Sequence, residues 1–109
     1  MTVKSLAANE HIEALVCPQP ERAIRGVYIG DLLSWVMGRA GADNAWLTIM
    51  SNINIVAVAA LTDTACILLC EGVSPEKSIL DAAQSKGINI LRSDLATYET
   101  AMLLRDCGA

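Results

Sequence analysis

The chain has 109 residues and a formal net charge of −4, with 18% charged and 53% hydrophobic residues. This length allows one domain, and the hydrophobic content excludes a disordered chain. The 8 Lys and Arg residues form no cluster, so neither nucleic acid nor an anionic membrane surface is an expected partner. With four aromatic residues and no Phe, the core is expected to consist of Ala, Leu, Ile and Val.

The N-terminal part of the chain contains short predicted elements. Its apolar spacing predicts a helix around Ser5–Asn9 and two strands, Glu13–Val16 and Ala23–Ile29, joined by a loop that contains two prolines. A further helix opens after the second strand, with Asp31 as the expected N-cap and Gly41 just past the helix end.

Residues Asn44–Thr62 carry no charge, and their number approaches the length of a membrane span. The polar pair Ser51–Asn52 instead indicates a cap between a strand, Ala45–Met50, and a buried helix, Ile53–Leu61. Hydrophobic period alone does not separate helix from strand here. We predict a helix because another strand, Ala65–Cys70, follows, and neighbouring parallel strands need a crossover between them.

The clearest predicted helix begins with Ser74 as N-cap and Pro75 at its first position, and it closes at Lys86. A short strand, Ile88–Leu91, follows, and then a final helix, whose candidate caps are Ser93, Asp94 and Thr97. Strand and helix thus alternate with short links. This pattern predicts one compact α/β domain over residues 3–105, with a mostly parallel sheet and helices packed on it.

No motif in the chain predicts a catalytic residue, a metal ligand set or a cofactor. Both nucleotide-binding glycine patterns are absent. Cys66 and Cys70 would lie about 13 Å apart on a strand, too far to chelate one zinc ion. Only four residues, two of them prolines, separate Cys17 from Arg22, one fewer than in a cysteine phosphatase loop. A small enzyme using Cys70 or Cys17 is therefore the least favoured hypothesis.

The cysteines are expected to be free thiols in a cytoplasmic protein. The first twenty residues include Lys4, Glu10 and Glu13 and no apolar segment of the secretory type. A reducing compartment keeps cysteines unpaired.

A candidate ligand site lies where the predicted parallel strands end and helices begin. Such ends line the crevice in which α/β sheets bind ligands, and helix N-termini favour anions. The sequence therefore predicts a site for a nucleotide or another small anion, although plain helix capping explains the same residues. The candidate ligand-binding residues are Ser51, Asn52, Gly72, Ser74 and Ser93.

A candidate dimer interface comes from the helix that is apolar on all sides. One small chain has difficulty covering such a helix, so part of it, or of the surface around Trp35 and Trp46, is expected to lie against a second copy. Burial inside the domain explains the pattern equally well. The candidate interface residues are Trp35, Ile53, Val56, Ala57 and Ala60.

Beyond these patterns, the chain resembles a stand-alone DRTGG domain. It is similar to the N-terminal domain of HPr kinase/phosphorylase and to the DRTGG domain of CBS-domain pyrophosphatases. The segments that carry the resemblance are Gly26–Leu33, Asn54–Leu61, Ala65–Pro75, Gly87–Leu91 and Leu95–Ala101.

The resemblance implies a compact regulatory module that dimerises and has no catalysis of its own. The contiguous string Asp-Arg-Thr-Gly-Gly is absent, and the turn before the apolar helix is Met50-Ser51-Asn52. We therefore expect a non-enzymatic regulatory or interaction module that acts as a homodimer and through a separate partner protein. The alternative is a sensor that binds a nucleotide or another anion at the strand ends.

Overall fold

The computed structural model describes all residues from Met1 to Ala109. The elements in chain order are α1 (Val3–Ala7), β1 (Ile12–Val16), β2 (Val27–Ile29), α2 (Leu33–Arg39), β3 (Ala45–Thr48), α3 (Asn54–Thr62), β4 (Cys66–Leu69), α4 (Lys77–Lys86), β5 (Ile90–Ser93) and α5 (Thr97–Asp106).

The five strands form one sheet in the order β1-β5-β4-β3-β2. Strands β2 to β5 are parallel, and β1 runs antiparallel to β5. The predicted α/β class with a mostly parallel sheet is confirmed. A crossover helix lies between the parallel strands β3 and β4, as predicted, and it spans Asn54–Thr62 where Ile53–Leu61 was expected.

Each face of the sheet has its own apolar cluster and its own helices. On one face, Val3 and Leu6 of α1 and Leu104 of α5 pack against the sheet. On the other, Val36 of α2 and Ile79 of α4 pack with the buried residues of α3. No helix has both the length and the apolar character needed to cross a membrane.

The strand predicted at Ala23–Ile29 is shorter in the structure. It begins at Val27, because Gly26 has a φ of +99° that breaks the extended backbone. Upstream of this glycine, Ala23 makes an isolated antiparallel bridge with Thr2. This bridge ties the segment to the N-terminus of the chain.

The predicted N-caps of three helices are wrong. Helix α2 has Leu32 at its N-cap, α4 has Glu76, and α5 has Ala96, and none of the three forms a side-chain cap. The polar side chains expected to cap them have other partners. Asp31 accepts hydrogen bonds from the end of β3, and Ser74 accepts one from Arg92.

The loops at the N-terminal ends of the central strands are joined by Arg22. Its guanidinium donates to Asp43 Oδ1 over 3.0 Å and to Asp63 Oδ1 over 2.9 Å. Both aspartates have positive φ, +64° and +58°, a backbone conformation that is uncommon for residues other than glycine. This ion-paired cluster holds one end of the sheet, opposite the candidate ligand site.

Candidate functional site

A cleft of about 550 Å³ opens between the N-terminal ends of α3 and α4. It lies where β3 and β4 end, at the edge at which the sequence places the ligand site. Three of the five predicted ligand residues line it, namely Ser51, Asn52 and Ser74. The complete lining is Ser51, Asn52, Ile53, Ser74, Glu76, Ser78 and Ile79.

The loop between β3 and α3 presents polar groups to this cleft. Asn52 Oδ1 accepts a 2.9 Å hydrogen bond from the backbone N–H of Asn54 at the start of α3. Asn52 therefore stabilises the turn before α3, although the N-cap of this helix is Ile53 and not the predicted pair Ser51–Asn52. Its amide nitrogen donates no hydrogen bond within the chain and is available to a ligand.

The other wall of the cleft is the N-terminus of α4. Because no side chain caps this helix, the positive end of its dipole and its first N–H groups are open to an anion. The carboxylate of Glu76 also lines the cleft and opposes a negative ligand. The cleft therefore favours a ligand that presents hydrogen-bonding groups to Glu76 and its anionic groups to the helix ends.

Arg92 contacts one residue of the cleft lining, Ser74, and the sequence did not predict this contact. Its guanidinium donates to Ser74 Oγ and, over 2.6 Å, to Glu13 Oε1. Arg92 is the one charged residue of β5, and this isolated cation in an apolar strand is the signal that marks it. The side chain fixes the loop after β4 against β1.

The structure does not bring Ser93 and Gly72 into the cleft. Ser93 is fully buried, and its hydroxyl pairs with Thr100 Oγ1 over 2.8 Å and accepts from Leu95 N–H over 3.1 Å. Gly72 has a φ of +69°, and its N–H donates to the carbonyl of Ser93 over 2.8 Å. Both residues shape the turn between β4 and α4.

Three of the cysteine thiols lie in surroundings that favour the neutral form. Burial raises the pKa of Cys66 from 9.0 to about 12. Burial also raises the pKa of Cys17 and that of Cys70, although the nearby hydroxyls of Thr97 and Thr100 act to lower the pKa of Cys70. Since the thiolate is the nucleophile, these surroundings disfavour cysteine catalysis at neutral pH.

The predicted interface residues divide between surface and core. Trp35 and Ile53 are 53% and 52% exposed, and Ala57 and Ala60 also face solvent. Val56 is only 1% exposed and Trp46 is fully buried, and both belong to the apolar cluster under α2, α3 and α4. The expectation that Trp46 lies at the interface is therefore wrong. Val56 is therefore a core residue and is not part of the surface formed by the other four.

Comparison with known proteins shows the family of the chain. The DRTGG domain model matches residues 19–107 of the chain. The chain belongs to the DRTGG domain family. Comparison with the curated proteins gives no match.

A solved structure shares the fold of this DRTGG domain. It contains the CBS and DRTGG domains of the regulatory region of Clostridium perfringens pyrophosphatase, complexed with the activator diadenosine tetraphosphate. The TM-score is 0.67 at 13% sequence identity, and the match covers 85% of this chain and 41% of the other. The chain therefore spans less than half the length of that structure.

The part of the DRTGG domain that precedes the family match also belongs to the fold. The match begins at Gln19, after α1 and β1. Even so, Val3 and Leu6 of α1 are buried in the core, and β1 pairs with β5 along Ile12–Val16. These residues complete the sheet and cover one of its faces.

Proposed function

We propose that this DRTGG domain is a non-enzymatic, cytoplasmic regulatory module that works by association. It pairs with a second copy and, in that form, acts on a separate partner protein. Membership of the DRTGG family supports this proposal, as does the fold shared with a structure from the regulatory region of a pyrophosphatase. The raised pKa values of the buried thiols argue in the same direction.

The observation that carries this proposal is the contrast between helices on one face of the sheet. The outer side of α4 is polar and bears an ion pair between Lys77 and Asp81. By contrast, α3 has no charged residue, and α2 has only Arg39. Helices α2 and α3 pack against each other, so their outer sides, on which Arg39 is the one charged residue, form the surface most suited to burial by a protein.

The test compares the molar masses in solution of two variants, each of which introduces one carboxylate at a different exposed position. Trp35→Glu places a carboxylate on the apolar outer side of α2. Ser78→Glu places one on the polar, exposed start of α4. In light scattering at micromolar concentration, we expect the dimer to persist in Ser78→Glu and to dissociate in Trp35→Glu. A monomeric mass for the wild-type chain would contradict the proposal, and equal dimeric masses for the two variants would exclude the surface around Trp35.

A second candidate function is a sensor for a nucleotide or another small anion. The specific observation in its favour is the meeting of Ser51, Asn52 and Ser74 around one cleft between two helix N-termini. The structural neighbour is complexed with diadenosine tetraphosphate, which makes this compound a suitable first probe.

Thermal unfolding with diadenosine tetraphosphate, ATP or inorganic phosphate tests the sensor. A ligand that binds only the folded state raises the Tm. We expect the shift to be smaller in Asn52→Ala and in Ser74→Ala and unchanged in Ser85→Ala, which alters an exposed serine of α4 outside the cleft. The absence of any shift at millimolar ligand would eliminate the sensor and leave the association proposal intact.

A further inference from the structure

Strand β2 leaves one edge of the sheet open. The carbonyl of Gly26 accepts from Ala45 N–H over 3.0 Å, and Gly30 N–H donates to the carbonyl of Leu47 over 3.2 Å. Because backbone groups alternate in direction along a strand, those of Val27 and Ile29 point away from β3. These residues therefore present two N–H and two C=O groups to an additional strand.

The opposite edge of the sheet is protected, and β2 is not. Strand β1 has an irregular register between Ala14 and Val16 and carries Glu13, which is paired with Arg92. Bulges and charged side chains are the usual means by which proteins prevent pairing at an edge. The residues of β2, Val27–Ile29, contain no charge, proline or bulge.

Exposed apolar side chains lie close to the open edge in the chain. Ile29 ends β2 and is 52% exposed, and Leu32, at the start of α2, is 58% exposed. In a right-handed crossover from β2 to β3, the helix flank with Leu32 and Trp35 turns towards the edge of β2, and the flank with Met37 turns towards α3. The open backbone groups therefore have a largely apolar surface beside them, on which the guanidinium of Arg39 lies over the Trp35 ring, 3.9 Å from its centroid.

Two exposed residues of opposite charge bracket β2. Arg25 precedes the strand and Asp31 follows it. Neither forms an ion pair within the chain, and Asp31 uses only Oδ1 for its hydrogen bonds to Thr48 and Ile49. If two copies of β2 meet in antiparallel orientation, the Arg25 end of one lies beside the Asp31 end of the other. Two antiparallel copies of β2 are therefore complementary in charge, which identifies a second copy of the chain as the partner at this edge.

We infer that β2 pairs with β2 of a second copy, antiparallel about a two-fold axis at Tyr28. Val27 of each copy then lies opposite Ile29 of the other, and the two five-stranded sheets become one continuous sheet. Such an interface uses the same surface of both subunits, which is the commonest symmetry of dimers. This inference rests on the proposed association and specifies where the two copies meet.

A cysteine at the two-fold axis tests the register directly. The two Tyr28 positions form a non-hydrogen-bonded antiparallel pair, whose Cα atoms lie about 4.5 Å apart, within the range of a disulfide. In a background in which the exposed Cys107 is replaced by serine, we expect Tyr28→Cys to form a covalent dimer on mild oxidation. Tyr98→Cys, on the exposed side of α5, is the matched control and should remain uncrosslinked.

A proline at the edge provides a second, independent measurement. Ile29→Pro removes an N–H that faces away from the sheet, so the fold is retained while pairing with the second copy is blocked. We expect the dimer dissociation constant of Ile29→Pro to rise about tenfold or more. The control variant Ile29→Thr keeps the N–H, and its dissociation constant should rise less. Circular dichroism confirms that each variant is folded.

The possible results separate the edge pairing from the association itself. A wild-type dimer that Ile29→Pro leaves intact, with no disulfide in Tyr28→Cys, would overturn the edge pairing alone. A dimer dissociated by Ala57→Arg but not by Ile29→Pro would overturn it as well, by placing the interface on α3. A wild-type chain that stays monomeric would contradict the proposed association.

Discussion

The Thr48 hydroxyl donates a 2.8 Å hydrogen bond to Asp31 Oδ1, and this bond connects the ends of two neighbouring strands. The same oxygen accepts from Ile49 N–H over 3.0 Å. Asp31 follows β2 and Thr48 ends β3, so one carboxylate aligns the loop before α2 with the loop that leads into the cleft. The edge strand is thereby held in register with the centre of the sheet.

Removal of this carboxylate should destabilise the domain. Thr48 is almost completely buried, and Asp31→Ala leaves its hydroxyl without the acceptor. We expect a loss of about 1–3 kcal/mol in the free energy of unfolding, measured by chemical denaturation. Asp94→Ala removes an exposed carboxylate and is expected to cost less than about 1 kcal/mol. An equal loss in the two variants would contradict this role for Asp31.

The order of elements and the parallel sheet could be predicted from the sequence, because apolar runs alternated with helix signals and were joined by short links. The position and the antiparallel direction of β1 could not be predicted from the sequence. An apolar strand has the same pattern in either orientation, and the pairing of Ile12 with Ser93 depends on contacts between residues far apart in the chain.

The candidate site was predicted in part, and the errors have a common cause. Ser51, Asn52 and Ser74 meet at one cleft because the ends of parallel strands share an edge of the sheet. Ser93 has the same local pattern, but its hydroxyl is used by Thr100 inside the domain. The pattern of a cap residue does not reveal which distant partner competes for the side chain.

The Arg22 cluster should depend on the planar guanidinium. Arg22 donates to Asp43 through two nitrogens and also reaches Asp63. Lysine keeps the charge but lacks this arrangement of donors. We expect Arg22→Lys to reduce the free energy of unfolding by about 2 kcal/mol, and Arg105→Lys, an exposed pair at the end of α5, to have little effect. Equal stabilities of both variants would refute this role.

The buried thiol of Cys66 should make the domain less stable at alkaline pH. Its pKa rises from 9.0 to about 12 in the folded state, so above pH 9 the unfolded chain releases a proton that the folded chain retains. The stabilisation is complete below pH 9 and is lost as the pH rises towards 12.

Denaturation between pH 8 and pH 11 measures this effect. One such thiol contributes a slope of about 1.4 kcal/mol per pH unit above its unfolded pKa. Cys66→Ala should show a shallower alkaline decline than the wild type, whereas Cys107→Ala, at an exposed thiol, should match it. Parallel curves for wild type and Cys66→Ala would show that burial does not hold this thiol neutral.

Ser93 should contribute to stability without taking part in ligand binding. Ser93→Ala leaves the buried Thr100 hydroxyl with backbone acceptors only, and we expect a loss of about 1 kcal/mol. At a temperature where the variant is folded, calorimetric titration should give the wild-type affinity for any anion that binds the cleft. Loss of that affinity in the folded variant would show that Ser93 takes part in ligand binding.

The measurement that tests the central claim most directly is sedimentation equilibrium of the wild-type chain over a range of micromolar concentrations. Association with a second copy predicts a molar mass that rises with concentration from 11.6 kDa towards twice that value. A mass that stays at 11.6 kDa at every concentration would contradict the claim that this domain acts as a homodimer.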